Sequence, residues 1–129
     1  MKLVTYRELV STVGFKRPET FQAALNLTNR LIGDDPDRHA QAKDILRQAI
    51  STAPSVIGAE HEVTLSLRCN YAVAVQFDNL AFATNTFKDV LRIARRVLGN
   101  AHPKTSEFER MYAKVLDNAR RGLKPKWRH

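Results

Sequence analysis

The chain has 129 residues, 43% apolar and 26% charged, with a formal net charge of +8. That length fits one domain with a modest core, the composition is ordinary for a soluble protein, and no apolar run approaches the length of a bilayer span. Met1–Glu8 lacks the apolar core of a signal peptide. Cys69 is the only cysteine, which excludes an internal disulfide and suits a reducing compartment, so a cytoplasmic location is expected with the nucleus left open.

Helical spacing of apolar residues governs the chain from end to end, and no segment alternates strongly enough to argue for strands. Residues 3–13 read as a short helix that puts Leu3, Val4, Leu9, Val10 and Val13 on one face and stops at Gly14. Pro18 opens the next helix, about 18–33, with Phe21, Ala24, Leu25, Thr28, Leu31 and Ile32 as its apolar stripe and Gly33 as its stop. Asp35-Pro36 pairs a cap with a first-turn proline, and a helix over about 36–53 follows, lined by Ala42, Ile45, Leu46, Ala49 and Ile50. Pro54 is expected to end or kink it before Gly58.

A second unit begins near Glu62 and carries Leu65, Leu67, Ala72, Val73, Val75 and Phe77. Asp78-Asn79 marks a turn. The helix after it, about 81–98, is lined by Ala83, Phe87, Val90, Leu91, Ala94, Val97 and Leu98. Pro103 opens a last helix to about Arg121, with Phe108, Met111, Tyr112, Val115, Leu116 and Ala119 on its apolar side and Gly122 as its end. Residues 123–129 form a short basic tail.

One pattern recurs through these boundaries. Gly14, Gly58 and Gly99 each follow an aliphatic residue and each precede a threonine by six positions, at Thr20, Thr64 and Thr105. His61 and His102 stand three after the last two glycines, and Pro18 and Pro103 stand four after the first and last. Glycine tolerates the left-handed backbone that ends a helix, and proline fits the first turn of the next. A recurrence at intervals of 44 and then 41 residues marks a repeat array. The expected organisation is a half unit at 3–14, units at 18–57 and 61–98, and a half unit at 103–121, about six helices within residues 1–122.

Thr64-Leu65-Ser66-Leu67-Arg68-Cys69-Asn70-Tyr71-Ala72, and Phe87 to Gly99 with His102-Pro103 after it, resemble the helices of kinesin light chain-like tetratricopeptide repeats; Asn26 follows Thr20 by six, as Asn70 follows Thr64. The departures are Met111 where the third unit should carry asparagine, Glu62 where proline should follow His61, and a turn at Asp78-Asn79 without the usual glycine and aromatic. The resemblance implies an all-α, right-handed superhelical α-solenoid of antiparallel helix pairs. So short an array makes self-association, or membership of a longer array, a natural expectation.

The resemblance also implies a concave groove lined by the first helix of each unit. Its candidates are Gln22, Leu25, Asn26 and Asn29, then Ser66, Cys69, Asn70, Val73 and Gln76, then Glu107, Arg110 and Lys114. An amide side chain offers a donor and an acceptor and can hold an extended peptide backbone. Arg110 and Lys114, four apart, suit an acidic peptide or a terminal carboxylate. The expected function is that of a noncatalytic scaffold or adaptor binding a peptide, with no cofactor.

The whole positive excess lies in residues 88–129, which hold 12 of the 21 Lys and Arg residues and four of the 13 acidic ones. Such asymmetry speaks about partners rather than fold. Arg92, Arg95, Arg96, Arg120, Arg121, Lys124, Lys126 and Arg128, with Trp127 to stack on a base, therefore form the alternative: a surface for nucleic acid or another polyanion. His61 and His102 lack a third ligand in register, so structural hydrogen bonds are expected of them rather than a metal. Cys69 has no base in register and reads as a packing residue. The chain shows no phosphate-cradling loop and no carboxylate pair at useful spacing, so enzymatic activity is not expected.

Overall fold

The computed structural model describes residues 17–32 and 36–124. They form five helices: α1 (Pro18–Leu31), α2 (Pro36–Val56), α3 (Glu62–Val75), α4 (Leu80–Val97) and α5 (Pro103–Arg120). Among the described residues there is no strand, as the periodicity requires. The helix expected at 3–13 with its stop at Gly14, the 33–35 junction and the tail from Pro125 onward lie outside the described residues.

Local chemistry sets most of the boundaries. Pro18 and Pro103 open α1 and α5. Asn79 caps α4, its side chain accepting from the Phe82 N–H at 3.0 Å, while the Asp78 and Asn79 N–H groups close back onto the Val75 carbonyl. α2 ends before Gly58 as expected, but it runs past the expected 53 and through Pro54 to Val56. A proline forgoes one backbone bond and crowds the preceding turn. Here that loss falls in the last turn, which the Ile57 N–H still closes by donating to the Ala53 carbonyl at 2.9 Å.

Each helix packs on the next; in addition α1 packs on α3 and α3 on α5, whereas the backbones of α2 and α4 do not approach each other closely. The core falls into two clusters. One, between α1, α2 and α3, holds Phe21, Ala24, Leu46 and Ala53 with Leu67 and Ala74 of α3. The other, between α3, α4 and α5, holds Phe87, Val90 and Phe108 with Leu65, Cys69 and Ala72 of α3. Phe21, Phe87 and Phe108 are each 1% exposed or less, and burying each side chain contributes about 2 kcal/mol. Because α3 feeds both clusters it is apolar on opposite sides, which is why its residues lack the clean one-faced period of a surface helix.

A shift of 41 residues superposes the second layer on the first in burial. Ala42, Leu46, Ala49 and Ala53 of α2 correspond to Ala83, Phe87, Val90 and Ala94 of α4, and all eight are buried. Leu67 and Ala74 of α3 correspond in the same way to Phe108 and Val115 of α5.

Candidate functional site

The two recurring junctions are built alike. Gly58 and Gly99 have φ of 105° and 97°, a region that L side chains rarely adopt. Their N–H groups donate to the Ala53 and Ala94 carbonyls, and their own carbonyls accept from the N–H groups of His61 and His102. His61 Nδ1 accepts from the Val63 N–H at 3.0 Å, and His102 Nδ1 accepts from the Lys104 N–H at 3.0 Å. Both histidines are helix N-caps, so the expected structural role is the observed one. Among the described residues no cluster of three or more His, Cys, Asp or Glu side chains could hold a metal ion.

The junctions fix the rotation of α3 and α5, and with it the placement of the amides. On α1, Gln22 Nε2 donates to Asn26 Oδ1 at 3.0 Å. Asn70 of α3 reaches across to α1, donating through Nδ2 to Asn29 Oδ1 at 2.7 Å and to Thr28 Oγ1 at 3.3 Å. The Thr28 hydroxyl in turn donates to the Leu25 carbonyl at 3.1 Å. The exposed end of this polar seam is Gln22, Asn26 and Asn29.

Several expected groove residues are instead interior. Cys69 is 0% exposed, Ser66 5%, Leu25 6%, Asn70 7% and Gln76 8%. Leu25 belongs to the first core cluster; for the others the cause is that α3 is flanked by α1 and α5 as well as by α2 and α4, so little of it faces solvent. Burial pushes the Cys69 thiol well above its usual range, which leaves it protonated and suited to packing. Gln76 turns inward, donating to the Val73 carbonyl at 3.0 Å and accepting from Asn118 Nδ2 at 3.0 Å. Val73 is half-buried against the second cluster.

Arg110 and Lys114 are exposed, but no hydrogen bond or ion pair among the described residues joins them to the amide group on α1. They stand 41 positions after Cys69 and Val73, on the side that α3 turns toward the second cluster. By that register they belong to the outer side of α5, away from α3. Glu107 pairs with Lys104 at 3.0 Å.

The basic residues do not form one free patch. Arg92 pairs with Asp89, Arg96 with Glu60, and Arg120 and Arg121 with Asp117. Arg92 and Arg68 hold the Asp89 carboxyl below the usual carboxylate range by hydrogen bonding, and Arg120 does the same for Asp117. Arg95 and Lys124 are exposed, while Lys126, Trp127 and Arg128 lie outside the described residues.

Sequence reasoning missed two interior polar groups, Asn118 and His39, and the bond made by a third, Thr64. Asn118 ties α5 to α3 through Gln76. His39 is buried in α2 with Nε2 2.6 Å from the Ala74 carbonyl of α3. The Thr64 hydroxyl donates to the Gly58 carbonyl at 2.7 Å. The signal that could have found Asn118 and His39 was position: each stands three residues from a buried apolar residue of its helix, Val115 or Ala42, where a polar side chain must find a partner. Among the described residues no helix is long and apolar enough to cross a membrane. Comparison with protein-family models, with curated proteins and with solved structures gives no match.

Proposed function

We propose that this chain is a noncatalytic protein-interaction module, a tetratricopeptide-type α-solenoid that binds a peptide segment of a partner along the side where α1, α3 and α5 meet. The observation that carries this reading is the packing pattern: the backbones of α1, α3 and α5 approach one another in sequence, while those of α2 and α4 stay apart. Three helices packed side by side under two separated ones suit a surface curved toward the row of three. Gln22, Asn26 and Asn29 are exposed on α1 at that row. They offer amide donors and acceptors to an extended backbone, and a pre-formed surface confines the ordering cost to the peptide.

The polyanion reading has less support, because Arg92, Arg96, Arg120 and Arg121 are engaged in ion pairs. A library of extended peptides, screened against the wild type and against the combined Gln22→Ala, Asn26→Ala, Asn29→Ala variant, tests the assignment. Peptides selected by the wild type should bind the variant about tenfold more weakly. Equal binding by the two proteins refutes the α1 surface. Affinity that falls steeply with salt and ignores those three residues moves the function to the polyanion reading.

A further inference from the structure

We infer that the cleft between α4 and α5 receives an acidic amphipathic helix of a partner protein, at a surface separate from the amide-bearing side of α1. The cleft has a volume of about 460 Å³ and is lined by Lys88, Leu91 and Arg95 of α4 and by Glu109, Tyr112 and Leu116 of α5. Its floor is apolar. Leu116 is 44% exposed, and Tyr112 stacks on Phe87 with ring centroids 5.4 Å apart.

The molecule itself indicates what such a surface accepts. Forty-one positions before Glu109, Tyr112 and Leu116 stand Arg68, Tyr71 and Val75 of α3, and there a helix is already seated. Arg68 pairs with Asp89 of α4 at 2.9 Å, and the Tyr71 ring meets Phe82 of α4 edge-on at 5.8 Å. The matching side of α5 has no helix on it among the described residues.

Charge selects the occupant. Lys88 and Arg95 are exposed on the rim, and neither makes an ion pair among the described residues. Arg110 and Lys114 stand nearby on the outer side of α5, against Glu109 as the one acidic residue of the lining. A second copy of the chain would bring its own basic surface to this rim, and like charges oppose that approach. A helix with a leucine stripe and glutamates flanking it satisfies both floor and rim. One basic residue facing Glu109 would reverse the polarity of the Arg68–Asp89 pair.

The test uses the full chain and a designed helical peptide of about five turns. It carries leucines at i, i+3, i+4 and i+7, flanking glutamates, and one lysine. Binding is read by fluorescence anisotropy and by amide chemical-shift mapping. The wild type should bind, with shifts confined to residues near 88–95 and 109–116. Leu116→Asp should weaken binding at least about tenfold with unchanged circular dichroism, since the side chain is already half exposed. The combined Lys88→Glu, Arg95→Glu variant should prefer a lysine-flanked version of the peptide. The Gln22, Asn26 and Asn29 alanine variant should bind normally, which separates this surface from the peptide site proposed above. Equal affinity of wild type and Leu116→Asp overturns the inference. So do shifts that map elsewhere, equal binding of polyglutamate of matched charge, or a concentration-dependent dimer that Leu116→Asp dissolves.

Discussion

The turn from Ile57 to Thr64 and the turn from Leu98 to Thr105 share a backbone and differ in side-chain chemistry. Both reverse the chain at a left-handed glycine and both cap the next helix with a histidine. In the first, the Thr64 hydroxyl closes the loop on the Gly58 carbonyl at 2.7 Å. In the second, the equivalent Thr105 hydroxyl is buried and makes no hydrogen bond among the described residues. The backbone geometry therefore survives without the hydroxyl bond, and the glycine and the cap are what the two turns require in common.

The largest expected effect comes from the glycines. Gly58→Ala and Gly99→Ala should each cost about 1–2 kcal/mol of unfolding free energy, by nearly equal amounts, in urea denaturation. Steric clash is not the reason, since an added Cβ would meet nothing within 4 Å at either site; the cost is the backbone angle. Unchanged stability for either variant would break the equivalence of the turns.

The threonines should behave oppositely. Thr64→Val removes a made hydrogen bond and should lose about 1 kcal/mol. Thr105→Val replaces a buried hydroxyl with no partner among the described residues, so it should leave stability unchanged or raise it. Equal losses at the two positions would mean that the hydroxyls do the same job.

The smallest expected effect is acid sensitivity in the second layer. Asp89 joins α3 to α4 through Arg68, whereas the position 41 residues earlier holds Gln48. Hydrogen bonds from Arg92 and Arg68 lower the Asp89 pKa in the folded chain. Its stabilising contribution is therefore present above the ordinary carboxylate range and is lost as pH falls through the lowered value. Asp89→Asn should reduce stability slightly at neutral pH and flatten the loss between about pH 5 and pH 2. Parallel stability–pH curves for the two proteins would rule out this tie.

Helix boundaries were legible because their causes are local. Glycine, proline and the capping residues act within a turn or two of themselves, so Gly58, Asn79, Gly99 and Pro103 could be placed without a structure. The end of α2 fell past the expected 53 because a proline's cost depends on how much helix remains beyond it, and α2 had less than one turn left. The candidate site was only partly legible. Asn26 and Asn29 are exposed, whereas Asn70, Ser66 and Gln76 are interior, because exposure depends on how many neighbours a helix acquires.

Cys69 and Arg110 mark the limit most clearly. They occupy the same place in the 41-residue register, yet one is fully buried and the other is exposed. The amino-acid order by itself determined the helical segments, five of them within the described residues, and the recurrence that relates them, since these follow from the conformational preferences of single residues and the 3.6-residue period. Only tertiary packing decided which sides of those helices meet water. Among the described residues the middle helix α3 is enclosed by four others, whereas α5 has neighbours on one side alone, and burial is a property of that neighbourhood, not of the residue that occupies it.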